Sequence, residues 1–68
     1  MKENDFGRNL QRVISVLGLT QGELAAKAGI TSAAVSQIIN GHREPNLSTI
    51  IAILKVVPVK FEKLMERD

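Results

Sequence analysis

Glycine and proline divide this chain of 68 residues into short segments, and each segment carries apolar residues at helical spacing. The first segment, residues 4–17, has apolar residues three and four positions apart, which predicts one buried helical face formed by Phe6, Leu10, Val13 and Leu17. Gly18 follows the last turn, where a left-handed residue commonly ends a helix. A chain this short has room for one domain, over residues 1–68, and must build its core from such segments.

Two capping signals locate the next two helices. Thr20 and Glu23 have the spacing of a capping box, in which the threonine hydroxyl accepts from the glutamate amide and the carboxylate reaches back. The helix that follows ends at Gly29 and is expected to bury Leu24, Ala25 and Ala28. Thr31 is the next N-cap, and a third helix over residues 32–39 then directs inward Val35, Ile38 and the neighbouring Ile39.

The remaining sequence predicts two more helices. A fourth helix covers about residues 47–56, with a buried stripe of Leu47, Ile50, Ile51 and Leu54. Pro58 ends this stretch, because the residue before a proline is pushed out of helical space. A short last helix follows, with Phe61, Leu64 and Met65 as its apolar residues. The run 50–53 is rich in β-branched side chains but has no strand-like partner, so we expect an all-α fold of five helices.

The composition excludes several classes of function. Without cysteine the chain has no disulfide framework, no thiolate zinc site and no thiol nucleophile. We find no Ser-His-Asp arrangement, no phosphate-binding glycine loop and no convincing carboxylate pair, and therefore expect no enzyme, no cofactor and no metal. The longest apolar stretch, residues 47–59, is too short and too polar for a membrane span of ~20 residues, and the charged residues 1–5 precede no signal-peptide pattern. A cytoplasmic protein with no membrane partner is the expectation.

The charge of the chain favours nucleic acid slightly, and a duplex more than a single strand. Nine Lys and Arg against seven Asp and Glu give a net charge of +2 and a pI near 9.4, which is only mildly basic. The aromatic residues are Phe6 and Phe61, too few for a surface on which unpaired bases stack.

Residues 21–40 carry the most informative pattern, two short helices joined by a tight turn. Gly29 permits the positive φ that such a turn requires, and the small side chain of Ala25 lets the second helix cross closely. The apolar positions hold the two helices together and leave outward Ser32, Ala33, Ser36 and Gln37. This window resembles the helix-turn-helix of the lambdoid phage repressor and Cro-like family, also called the XRE family.

The resemblance covers nearly the whole chain. The segment LTQGELA at 19–25 resembles the family's entry to its second helix, NGHREP at 40–45 the loop after its recognition helix, and VKFEKL at 59–64 its closing helix. It implies a five-helix, lambda-repressor-like DNA-binding domain, with the helix-turn-helix at 21–40, in a bacterial or phage-encoded cytoplasmic protein.

The resemblance also implies roles for individual residues. The helix beginning at residue 32 would enter the major groove, which puts Ser32, Ala33, Ser36 and Gln37 at base-reading positions. Gln37 is the strongest candidate, because its amide can bond adenine N6 and N7 together. The positions that match phosphate contacts in the family are Gln21, Thr31, Asn40, His42 and Arg43.

The function that the resemblance implies is a sequence-specific regulator of transcription that binds a pseudo-palindromic operator in double-stranded DNA as a homodimer. We expect repression rather than activation, because binding alone is enough to block a promoter. The surface expected to pair the two copies lies around residues 58–65. Two alternatives stay open: an antitoxin that binds its own promoter and a toxin partner, or a protein-interaction module on the same fold. A larger carboxy-terminal domain beyond residues 66–68 is a further expectation.

The chain departs from the family at three places. Ile14 and Ile39 replace an Arg and a Glu that often form an ion pair, Pro58 replaces a capping glycine, and Lys60 replaces a capping serine. Joint exchange of a buried ion pair for two aliphatic residues is often neutral or stabilising, so the first departure predicts that the two isoleucines contact each other.

This pairing predicts a specific pattern of stability. Ile39→Glu should lower the free energy of unfolding by about 3 kcal/mol or more, because it places an unpaired charge in an apolar contact, and adding Ile14→Arg should recover part of the loss. Denaturant unfolding of the parent, both single variants and the double variant measures the coupling. A double variant as unstable as the sum of the two single variants would show that these residues are not partners.

Overall fold

The computed structural model describes residues 6–65, and this part of the chain consists of five helices with no strand. They are α1 (Phe6–Leu17), α2 (Gln21–Ala28), α3 (Ser32–Ile39), α4 (Leu47–Leu54) and α5 (Phe61–Leu64). The all-α, five-helix prediction is confirmed, whereas the first two residues of the predicted first helix, 4 and 5, lie outside the described part. None of the helices described is long and apolar enough to cross a membrane.

The predicted helix caps are present. The Thr20 hydroxyl accepts from the Glu23 amide at 3.0 Å, and the Glu23 carboxylate accepts from the Thr20 amide at 2.8 Å, which completes the capping box. Gly29 ends α2 in the left-handed conformation, with φ 76°, and the Thr31 hydroxyl accepts from the Ala34 amide at 3.0 Å at the start of α3. Each signal depends on a few neighbouring residues, so local sequence is enough to predict it.

Ten apolar residues form one core between the five helices. α2 and α3 make the most extensive contact, and α1 covers α3 while α4 covers α2. The buried residues are Phe6, Leu10, Ile14, Leu24, Ala25, Val35, Ile38, Ile53, Val57 and Leu64. Ile39 is half-buried and packs against this cluster, so the predicted partners of the exchanged ion pair both belong to the core region.

The predicted buried faces of α1 and α4 were partly wrong. In α1 the fully buried residue of the last turns is Ile14, and Leu17 is 41% exposed. In α4 it is Ile53 that is buried, whereas Leu47 is 72% and Ile51 46% exposed. α4 is apolar around most of its circumference, so spacing alone allows two stripes, and the helix buries the one that continues beyond its end into Val57. The helix also ends at Leu54, earlier than the predicted residue 56.

α5 is only four residues long and depends on α1 for its position. Lys60, at the N-cap, makes no side-chain capping hydrogen bond, as its replacement of a serine implies. Leu64 is fully buried, and its carbonyl oxygen accepts at 2.8 Å from the side-chain amide of Asn9, a buried polar residue in α1. Phe61, by contrast, is 40% exposed.

The start of α1 lies close against the backbone at the end of α3. A Cβ atom added at Gly7 would overlap the backbone carbonyl oxygen of Ile38 and lie 2.8 Å from that of Ile39. Both are backbone atoms, which cannot rotate away as the end of a side chain can. Glycine at this position therefore allows α1 to come this near to α3.

Two glycine variants separate this close approach from helix propensity. Gly7→Ala should lower the free energy of unfolding by about 1–3 kcal/mol, because the new methyl group overpacks a backbone contact. Gly22→Ala is the matched control, since a Cβ there meets only the Thr20 hydroxyl at 3.9 Å, and it should raise stability by up to about 1 kcal/mol. Thermal and denaturant unfolding measure both changes, and equal stability of the two variants would contradict the steric argument.

Candidate nucleic-acid interface

The outer face of α3 carries all four predicted base-reading residues. Val35 and Ile38 are buried on the inner side of the helix. On the opposite side Ser32, Ala33 and Gln37 are exposed and Ser36 is half-buried, at positions one and four residues apart that share a face. The surface therefore offers two hydroxyls, one methyl group and one amide, which are groups that hydrogen-bond or contact base edges in a major groove.

The predicted phosphate-contact residues surround this face but differ in the hydrogen bonds that they already make within the protein. Thr31 uses its hydroxyl to cap α3. Asn40 is the C-cap of α3, and its side-chain amide donates to the Ser36 hydroxyl at 3.4 Å, so it reaches the outer face of α3 itself. His42 and Arg43 are exposed in the loop that follows.

Gln21 is held at the start of α2 by a chain of side-chain hydrogen bonds from α1. Its Nε2 donates to Oε1 of Gln11 at 3.1 Å, and Nε2 of Gln11 donates to the Ser15 hydroxyl at 2.9 Å. Sequence analysis missed Gln11, because its position ten residues before Gln21 acquires meaning only when α1 and α2 pack together. The amide of Gln21 is thus oriented by two residues that are not themselves candidates for DNA contact.

Arg43 and Gln37 are in direct contact, a second feature that the sequence did not predict. Nη1 of Arg43 donates to Oε1 of Gln37 at 3.4 Å. The backbone supports the contact, because the His42 amide donates to the Gln37 carbonyl oxygen at 2.8 Å and so brings the loop back over the last turn of α3. The candidate phosphate contact and the candidate base contact are therefore neighbours.

Charge is sparse on this surface and lies at its edge. The outer face of α3 is neutral, and the first turn contains no acidic residue, so no carboxylate offsets the positive end of its dipole there. Arg43 supplies a cation beside it, with Glu44 next in the chain. Among the described residues, no group of three or more His, Cys, Asp and Glu could hold a metal ion. What the surface offers a partner is hydrogen bonding with modest electrostatic attraction.

Two short helices at a fixed angle, with a polar outward face on the second, define a helix-turn-helix domain. The Helix-turn-helix family model matches residues 17–64, most of the chain. The protein belongs to this family of DNA-binding transcriptional regulators, in its lambda-repressor-like or XRE branch.

Curated relatives come from Bacillus subtilis (strain 168). RghRB, an uncharacterized HTH-type transcriptional regulator, is 39% identical over 61 residues, which are 88% of this chain and 44% of RghRB. YqaE, another uncharacterized HTH-type transcriptional regulator, is 33% identical over 63 residues, 93% of this chain and 54% of YqaE. The chain thus spans about half the length of these relatives.

Solved structures show the same fold. The restriction-modification controller protein C.AhdI from Aeromonas hydrophila superposes with a TM-score of 0.83 at 25% identity, covering 88% of this chain and 91% of that one. The P22 c2 repressor, in complex with synthetic operator 9T, superposes with a TM-score of 0.84 at 24% identity, covering 93% and 96%. The lambda-repressor-like architecture predicted from the sequence is confirmed.

Proposed function

We propose that this protein is a sequence-specific regulator of transcription that represses by occupying a pseudo-palindromic operator as a homodimer. The observation that carries the proposal is the outer face of α3, a set of neutral hydrogen-bonding residues fixed by two buried ones, Val35 and Ile38. Repression needs no further surface, because a bound protein blocks a promoter by occupancy. The P22 c2 structure, which holds an operator, supports the choice of duplex DNA as partner.

In this proposal one set of residues contacts the bases and another contacts the phosphates. Gln37 reads a base with its amide, Ser32 and Ser36 add hydroxyl contacts, and Ala33 meets a thymine methyl group. The residues around them (Gln21, Thr31, Asn40, His42 and Arg43) bind the phosphates that fix the register of the helix. Amide groups at the start of α2 add neutral donors for a phosphate, next to the oriented side chain of Gln21.

A second copy of the chain supplies the affinity that one short helix lacks. Specific sites are bound at about 10⁻⁸ M or tighter, and this surface has few cations to attract a polyanion. The pairing surface in this proposal combines part of residues 58–65 with the end of α1, since Leu64 is itself buried in the core. A shallow groove of about 240 Å³ lies beside the chain leading to α5, between Val16 and Leu17 of α1 and the segment Pro58–Val59. Val16 is 83% exposed, which leaves apolar surface there for a partner to cover.

Selection of bound sequences from random duplex DNA tests this function. We expect a two-fold motif whose half-sites lie about 34 Å, one helical turn, apart, because the dimer presents two copies of α3 to one side of the duplex. A footprint confined to one half-site at full affinity would contradict the dimer. Recovery of no motif at all would favour a protein-interaction module, and a motif bound more tightly with a toxin present would favour the antitoxin alternative.

Gln37→Ala tests the proposed reading residue. Preference at one base pair of each half-site should relax by about 1–3 kcal/mol, because the amide that discriminates the bases is removed. The salt dependence of affinity should hardly change, since the side chain is neutral. Gln21→Ala is the matched control: it removes the same amide from a phosphate position and should weaken all duplexes alike. If the preference of Gln37→Ala is unchanged at every position, Gln37 is only a solvated surface residue.

A further inference from the structure

We propose that Arg43 is a positioning residue for Gln37 and so determines base preference as well as attracting the DNA backbone. The inference rests on the proposed function, because it concerns how the same surface reads a base. Its starting point is the side-chain contact in which Nη1 of Arg43 donates to Oε1 of Gln37 at 3.4 Å. A phosphate contact alone would give Arg43 no part in sequence discrimination.

The main chain holds both residues of this contact in place. Gln37 is in the last turn of α3, next to the buried Ile38. After the helix ends, the Asn40 amide donates to the Ser36 carbonyl at 2.9 Å and the His42 amide donates to that of Gln37 at 2.8 Å. The residue immediately before Arg43 is thus bonded to the backbone of the residue that Arg43 contacts. The turn therefore places Arg43 next to the outer face of α3.

The contact favours one of the two orientations of the glutamine amide, because the two groups differ in their donors and acceptors. A glutamine amide has an acceptor at one end and two donors at the other, and its ability to discriminate bases depends on which end faces the groove. An exposed amide can rotate by half a turn and exchange the two ends. A guanidinium has only donors, so it stabilises the rotamer in which Oε1 faces the loop and Nε2 is left to donate. The oxygen retains a second lone pair, so bidentate contact with adenine is still possible.

Arg43 has enough donors to serve both purposes. Its guanidinium carries five N–H groups, of which the bond to Gln37 uses one, and the others remain able to bind a phosphate. One side chain then both binds the DNA backbone and orients the amide of Gln37. Orienting Gln37 before binding also removes part of the entropy cost of fixing it on the base.

The decisive experiment measures base preference rather than affinity alone. The probes are the duplex recovered by selection from random DNA and the same duplex substituted singly at each half-site position. Arg43→Ala should lower the preference at the base pair relaxed by Gln37→Ala at least threefold, in addition to a uniform loss of affinity. In the Gln37→Ala background the same change should leave the preference where it is, because there is no amide left to orient.

Two further variants separate orientation from charge. Arg43→Lys keeps the charge but lacks the planar fork, and it should retain the salt dependence of the parent while its preference falls towards that of Arg43→Ala. His42→Ala, at the neighbouring loop position, should weaken all duplexes by a similar factor and leave the preference unchanged. If Arg43→Ala also weakens the preferred and substituted duplexes by one common factor, the positioning role is wrong.

A measurement on the free protein distinguishes this failure from failure of the proposed function. The side-chain amide of Gln37 should be less mobile in the parent than in Arg43→Ala, as measured by nitrogen-15 relaxation of its NH₂ group, because the arginine restrains it. Equal mobility in the two proteins would overturn the positioning role even if the parent selects a DNA motif. Restrained mobility in a parent that binds no duplex would instead overturn the proposed function, and the reading role of Arg43 with it.

Discussion

The burial of Val35 and Ile38 is the constraint on which the rest of this structure depends. α3 has only eight residues, and a helix of that length is marginal in water, so its conformation and its direction come from packing. α2 holds it from one side through Leu24 and Ala25, and α1 from another through the close backbone contact at Gly7. With the inner residues fixed in this way, the outward residues of α3 become a rigid surface. Rigidity is what a surface needs if it is to distinguish one base pair from another.

Sequence predicted the features that depend on near neighbours and missed those that depend on packing. The capping box, the Thr31 cap and the left-handed Gly29 were all predictable, because each requires only a few residues at a fixed spacing. The buried face of α4 was not, since an almost wholly apolar helix has no single stripe to recognise, and the burial of Ile53 depends on how α4 packs against the core. The Asn46 cap of α4, whose side chain accepts from the Thr49 amide at 2.9 Å, is the exception, because its signal is equally local and yet it was not predicted.

At the candidate site, too, the features that depend on packing were missed. The apolar pattern was enough to name the residues of the outer face, resemblance to a known family suggested their role, and the structure places them together on α3. Neither the Gln11 contact that orients Gln21 nor the Arg43 contact that orients Gln37 was predicted. These partners are ten and six residues apart in the chain, and no periodicity relates them, because they meet across a helix packing and a loop. Sequence therefore indicated which side chains face outward, and the fold shows which hydrogen bonds orient them.

The contact at Gly7 has a consequence for how such a protein acquires a new target. The end of α3 is located through carbonyl groups of its backbone, and its inward side through Val35 and Ile38, so neither contact involves the outward side chains at 32, 33, 36 and 37. Under the proposed function, substitutions at 32, 33, 36 and 37 change the bases that are contacted without moving α3. Evolution of a new binding specificity is thereby separated from maintenance of the fold. Substitutions that adapt such a protein to a new operator need cost little of its stability.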